Sequence, residues 1–132
     1  MKKPGILLVD DEVAFADNIV KLLSKRGYDV TAVYDGQNAV RAIDEKEFDV
    51  IILDMKMPGM DGIATLKEIK KKGCLAEVII LTGHGSVESG IEGMQLGAFD
   101  FVMKPISLDN LQEKVGEAFQ RKLIEQERTE KS

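Results

Sequence analysis

Short apolar runs alternate along this chain with longer stretches of helical period. Ile6-Leu7-Leu8-Val9, Val30 to Val33, Val50-Ile51-Ile52-Leu53, Val78-Ile79-Ile80-Leu81 and Phe101-Val102-Met103 are strand-length segments. Three of them are unbroken runs of four apolar residues, the pattern of strands buried on both faces. Apolar residues then recur at helical spacing in five stretches: Phe15, Ile19, Leu22 and Leu23; Ala39, Val40 and Ile43; Ile63, Leu66 and Ile69; Val87, Ile91 and Met94; Leu108, Leu111, Val115 and Phe119. Each set predicts a helix with one apolar stripe turned to a core. Gly27, Gly73 and Gly97 follow such stripes where C-terminal caps belong, and Asp35 and Ser107 stand where N-caps belong.

Strand followed by helix, five times over, predicts a doubly wound α/β domain with a parallel five-stranded sheet and right-handed crossovers. Ligand sites in such sheets lie beyond the carboxyl ends of the strands, where the chain order reverses. The segment 4–122 is expected to form the domain, and the charged stretch 123–132, which has no apolar stripe, a frayed extension or the start of a linker.

Composition narrows the class. The 132 residues and 44% apolar content suit one domain that folds without staples. Cys74 is the one cysteine, so no intrachain disulfide or zinc cluster can form, and a reducing, cytoplasmic setting is expected. Apolar runs of at most four residues exclude a membrane span. A net charge of −5, with Lys70-Lys71-Lys72 as the tightest cationic run, argues against direct nucleic-acid binding.

The strand ends carry the chemistry. The first strand ends in Asp10-Asp11-Glu12, the third in Asp54, the fourth in Thr82 and the fifth in Lys104-Pro105. Each alone has an ordinary explanation: carboxylates cap helices, Thr suits strands, and lysines sit in solvent. Together, Asp10, Asp11 and Asp54 would place three negative charges in one cleft, which like-charge repulsion opposes. Lys104 supplies one positive charge, and a divalent cation such as Mg²⁺, suited to hard carboxylate oxygens, would bring the site to neutrality. Such a site fits phosphoryl transfer, with Asp54 as nucleophile, Thr82 donating to a phosphoryl oxygen and Lys104 neutralising charge.

Leu8-Val9-Asp10-Asp11-Glu12, the run from Leu53 through Asp54 and Lys56 to Asp61-Gly62, Leu81-Thr82-Gly83-His84-Gly85 and Lys104-Pro105-Ile106 resemble, as a set, the response-regulator receiver domain of two-component signalling. The resemblance implies flavodoxin-like topology with strand order 2-1-3-4-5. It implies that Asp54 accepts a phosphoryl group from a sensor histidine kinase or phosphotransfer protein, as an acyl phosphate. It implies that Asp11 and Asp54 bind Mg²⁺ or Mn²⁺ through their side chains, Lys56 through its backbone carbonyl, and Asp10 directly or through water. It further implies that Thr82 and Lys104 touch the phosphoryl group, that Phe101 is a switch aromatic, and that the Lys104-Pro105 bond is cis. The surface of the fourth helix, fifth strand and fifth helix would then engage an output partner or a second copy. The chain would catalyse its own phosphorylation and slow dephosphorylation, without being a metabolic enzyme.

Two residues depart from the small polar types commonest at their positions. Lys56 is expected to shield the acyl phosphate from water, and His84 to be an exposed loop residue or a base. Five of the 12 glycines fall between Gly83 and Gly97, predicting that the fourth helix is the least stable and carries the switch. Competing readings fit less well. A haloacid-dehalogenase-like phosphatase needs a cap and a different Asp spacing, and an FMN module needs a phosphate loop that Asp10-Asp11-Glu12 would repel. The remaining alternative is a receiver-like interaction module that is never phosphorylated.

Overall fold

The computed structural model of the protein describes residues 3–83 and 87–131. Five strands and five helices alternate: β1 Gly5–Val9, α1 Val13–Lys25, β2 Asp29–Val33, α2 Gly36–Glu45, β3 Val50–Asp54, α3 Gly62–Lys71, β4 Glu77–Thr82, α4 Val87–Gln95, β5 Asp100–Met103 and α5 Leu108–Lys131. All strand pairs are parallel, in the order β2-β1-β3-β4-β5. The expected fold and strand order are therefore present.

Period-two alternation divides the apolar strand residues between the two faces of the sheet. Leu7, Val9, Ile51, Leu53, Val78 and Ile80 pack with Ala39, Leu66 and Ile69 of α2 and α3. Ile6, Leu8, Val50, Ile52, Ile79 and Leu81 face Ala16, Ile19 and Leu23 of α1 and Leu111, Val115 and Ala118 of α5. The caps also follow the sequence: Asp35 accepts from Asn38 N at 2.7 Å, Ser107 Oγ from Asn110 N at 3.3 Å, and Gly27, Gly73 and Gly97 have positive φ.

The fourth helix differs from its pattern. Val87, Ile91 and Met94 are exposed, and the buried positions are Gly90 and Gly93. A Cβ on Gly93 would collide with Ile80 Cδ1 and meet Met55 Cε at 3.2 Å, and one on Gly90 would sit 3.1 Å from Thr82 Cγ2. The helix lies on the sheet through its glycines, so its apolar stripe is left outside.

The fifth helix also differs. It continues through the expected 122/123 boundary to Lys131, held where apolar contacts cease by Thr129 Oγ1 donating to Glu125 O at 3.0 Å and the Arg128 to Glu125 pair at 3.5 Å. Near the amino ends of the strands, α5 supplies Lys122, only 3% exposed, whose ammonium meets Asp49 at 3.0 Å, Glu47 at 3.3 Å and Gln126 at 2.7 Å. Asp49 Oδ2 accepts from Gly5 N at 2.8 Å, tying this cluster to the start of β1. No helix among the described residues is long and apolar enough to cross a membrane.

Candidate functional site

The parallel register brings the carboxyl ends of β1, β3, β4 and β5 to one edge. Val9 pairs with Leu53, Asp54 with Leu81, and Thr82 with Met103. Asp10, immediately after β1, thus stands beside Asp54, and Lys104, immediately after β5, stands beside Thr82. Backbone bonds lock this edge: Met55 N donates to Leu81 O at 3.2 Å and Lys104 N to Thr82 O at 2.7 Å. The Lys104-Pro105 peptide is cis.

Asp10, Asp54 and Thr82 are buried, at 0, 5 and 4% exposure. The Lys104 ammonium lies 2.9 Å from Asp10 Oδ2, 2.9 Å from Glu12 Oε1 and 3.9 Å from Asp54 Oδ2. It also sits 4.4 Å from the centre of the Phe15 ring, a cation-π contact. Burial pushes the Asp54 carboxyl up from 3.8 to about 7, reinforced by the negative charges of Asp10 and Asp11; the Lys56 backbone N–H, 3.2 Å from Asp54 Oδ1, and the Lys104 charge pull the other way. Burial would lower the Lys104 pKa, but the carboxylates of Glu12 and Asp10 reverse that and raise it.

One carboxylate oxygen from each of Asp10, Glu12 and Asp54 lies within 4.8 Å of the other two. Asp10 Oδ2 is fully buried and, among the described residues, has no well-directed hydrogen bond, only the Lys104 charge beside it. An anionic, all-oxygen cluster with a buried, under-bonded carboxylate oxygen fits a hard divalent cation.

Most of the residues expected from sequence meet here, with two differences. Glu12 joins the trio, because its backbone N–H donates to Asp10 Oδ1 at 2.9 Å and that turn carries its side chain over Lys104. Asp11 is half-buried and outside the trio, although its charge reaches Asp54. The sequence shows Glu12 beside Asp10-Asp11 and Phe15 on the stripe of the first helix, but carries no signal that either meets Lys104. The Lys56 side chain is exposed. Phe101 is 46% exposed and lies with Thr82, Val87, Ile91, Met94 and Met103 along an apolar groove between α4 and β5. His84 lies outside the described residues.

The motif Asp61-Gly62 places α3 against the phosphoacceptor candidate. Asp61 caps the helix by accepting from Ala64 N at 2.9 Å. Gly62 is buried where a Cβ would collide with Met55 Cα and come 2.7 Å from Asp54 O.

A buried acidic cleft with one lysine, at the carboxyl edge of a 2-1-3-4-5 sheet, defines a class of signalling domain, and comparison with known proteins agrees. Residues 6–116 match the family described as response regulator receiver domain, and the chain belongs to that family. It is 41% identical over 116 residues to the transcriptional regulatory protein ZraR of Salmonella typhimurium, covering 88% of this chain and 26% of ZraR. It is 38% identical over 109 residues to the transcriptional regulatory protein FixJ of Bradyrhizobium diazoefficiens, covering 83% of this chain and 53% of FixJ. The receiver domain of the Francisella response regulator 1452 superposes with a TM-score of 0.82 at 36% identity, covering 90% of this chain and 98% of that one. NtrX from Brucella abortus gives 0.89 at 31% identity, covering 99% of this chain and 30% of that one. The chain therefore spans only a quarter to a half of these longer regulators.

Proposed function

We propose that this receiver domain takes a phosphoryl group onto Asp54 from a sensor histidine kinase or phosphotransfer protein, and that the modified state reshapes the surface of α4, β5 and α5 to control an output domain, an output protein or a second copy. The observation that carries this is the carboxylate trio of Asp10, Glu12 and Asp54 gathered around the ammonium of Lys104.

In the transfer, an Asp54 carboxylate oxygen forms a bond to phosphorus as the phosphohistidine N–P bond breaks, and the electron pair leaves with the imidazole. A carboxyl with a pKa of about 7 is a ready nucleophile only when its proton is held off, and the Lys56 N–H and Lys104 charge favour the ionised form. Lys104 then has a new partner: its ammonium can turn from Glu12 and Asp10 to the phosphoryl oxygens, and Thr82 donates its hydroxyl proton to them. Asp10 and Asp54, with Asp11, the Lys56 carbonyl and Glu12 as further oxygen donors, would hold Mg²⁺ or Mn²⁺. When bound, the cation offsets the carboxylate charge and draws negative charge from the transferring group. Lys56, whose backbone N–H is held at Asp54 and whose side chain is exposed, would shield the acyl phosphate and slow attack by water.

Incubation of the whole chain with acetyl phosphate, with and without Mg²⁺, followed by intact mass, tests the proposal. A Mg²⁺-dependent gain of one phosphoryl group, absent in Asp54→Ala, is expected. No gain under any condition would overturn it and leave a receiver fold used as a binding module.

A further inference from the structure

The last residue of β4 is wedged between two neighbours. Thr82 is register partner to Met103 on β5, and its Oγ1 donates to Met103 Sδ at 3.1 Å. On its other side the Thr82 methyl rests against Gly90 of α4, where a Cβ would come within 3.1 Å. A threonine hydroxyl carries one proton. While that proton is on the Met103 sulfur it cannot be donated to a phosphoryl oxygen on Asp54.

We propose that Met103 is a positioning residue, a latch whose thioether holds the Thr82 hydroxyl until a phosphoryl group draws it away; this rests on the reading of Asp54 as phosphoacceptor. The strength of the acceptor sets the latch. Thioether sulfur is a weak acceptor, whereas a phosphoryl oxygen makes a charge-assisted bond about twice as strong as a neutral one. The hydroxyl therefore transfers from sulfur to phosphate, and the release is spontaneous once the acyl phosphate exists. An amide oxygen in place of sulfur would compete with the phosphate, and an aliphatic side chain would leave the hydroxyl free from the outset.

The same wedge explains how release would be felt on both sides. Hydroxyl and methyl share one Cβ, and a β-branched side chain moves between staggered wells as a unit. Turning Oγ1 from Met103 therefore moves the methyl off Gly90, so one rotation alters the contact with β5 and the contact with α4 together. Met103 is 42% exposed beside Phe101 in the α4/β5 groove, so the freed thioether can move into that groove.

The test compares Met103→Leu and Met103→Gln in the full chain, each with Thr82 and with Thr82→Val, by the rate of phosphoryl gain from acetyl phosphate. The expected result is a faster rate for Leu and a slower one for Gln, each by about two- to tenfold, the equivalent of one ordinary hydrogen bond. Both effects should vanish in the Thr82→Val background. Shifts of the same sign, or shifts that survive Thr82→Val, would overturn the latch. The Thr82 rotamer, read from three-bond couplings to its labelled methyl, needs no phosphorylation: one rotamer in the wild type and averaging in Met103→Leu is expected. Averaging already in the wild type would overturn the latch, whereas a fixed rotamer in a protein that never gains phosphate would overturn the phosphoacceptor reading instead.

Discussion

Asp54 holds its proton far above the usual carboxylate range because it is buried beside Asp10, and this has a signed consequence for stability. A carboxyl whose native pKa exceeds its unfolded value favours the fold while protonated. That contribution is complete below about pH 4 and is lost as pH rises through about 7. In metal-free buffer the wild type should therefore lose stability between pH 4 and 8 relative to Asp54→Asn, by of order 1–3 kcal/mol. Urea unfolding at pH 5 and pH 8 checks this, and parallel pH profiles for the two proteins would contradict it. The neighbouring Lys56 bears on lifetime rather than stability: Lys56→Asn should hasten loss of the phosphoryl group by up to about tenfold, equal to about 1.4 kcal/mol of barrier. Timing decay by intact mass after removal of the donor decides it. At this scale Asp10, Asp54, Thr82 and Lys104 were legible in the sequence because a parallel sheet aligns strand ends and each follows an unmistakable apolar run. Glu12 was not, since only the turn after Asp10 determines whether it or Asp11 faces the lysine.

Helices reveal where periodicity misleads. The stripe Val87, Ile91 and Met94 has the spacing of a buried face, yet α4 turns it outward because Gly90 and Gly93 permit closer approach to β4. Hydrophobicity scores glycine as nearly neutral, so a face built on the absence of side chains has no apolar signal. The caps of α2 and α5, which depend on local chemistry alone, were legible without tertiary knowledge. The same geometry separates glycines that are required from those that are tolerated. Gly62→Ala forces a Cβ onto the backbone of Met55 and Asp54, which cannot move aside, and should destabilise by about 2–4 kcal/mol while slowing phosphoryl gain. Among the described residues nothing lies within 4 Å of a Cβ added at Gly116 of α5, and Gly116→Ala should stabilise by about 0.5–1 kcal/mol. Denaturant midpoints for the pair, measured side by side, should move in opposite directions.

Across the whole molecule a lysine meets carboxylates at each end of the sheet, Lys104 at the carboxyl edge and Lys122 at the amino edge. Lys122→Met would leave Asp49 half-buried without its cation and should destabilise by about 1–3 kcal/mol, less than for a wholly buried pair because Glu47 is exposed. That loss should be the same with and without Mg²⁺, and phosphoryl gain from acetyl phosphate should be unchanged; dependence on Mg²⁺ in urea unfolding would contradict the separation. The two ends differ in saturation. Around Lys122 an amide oxygen and the Gly5 N–H complete a closed network, whereas three acids share Lys104 and leave a buried oxygen short of donors. On the proposed reading, chelators and phosphodonors would act at the Lys104 pole and leave the Lys122 network as it is. A partner gripping the Lys122 end would hold the molecule equally well before and after Asp54 is modified, so an anchor placed there could tether the domain without reading its message.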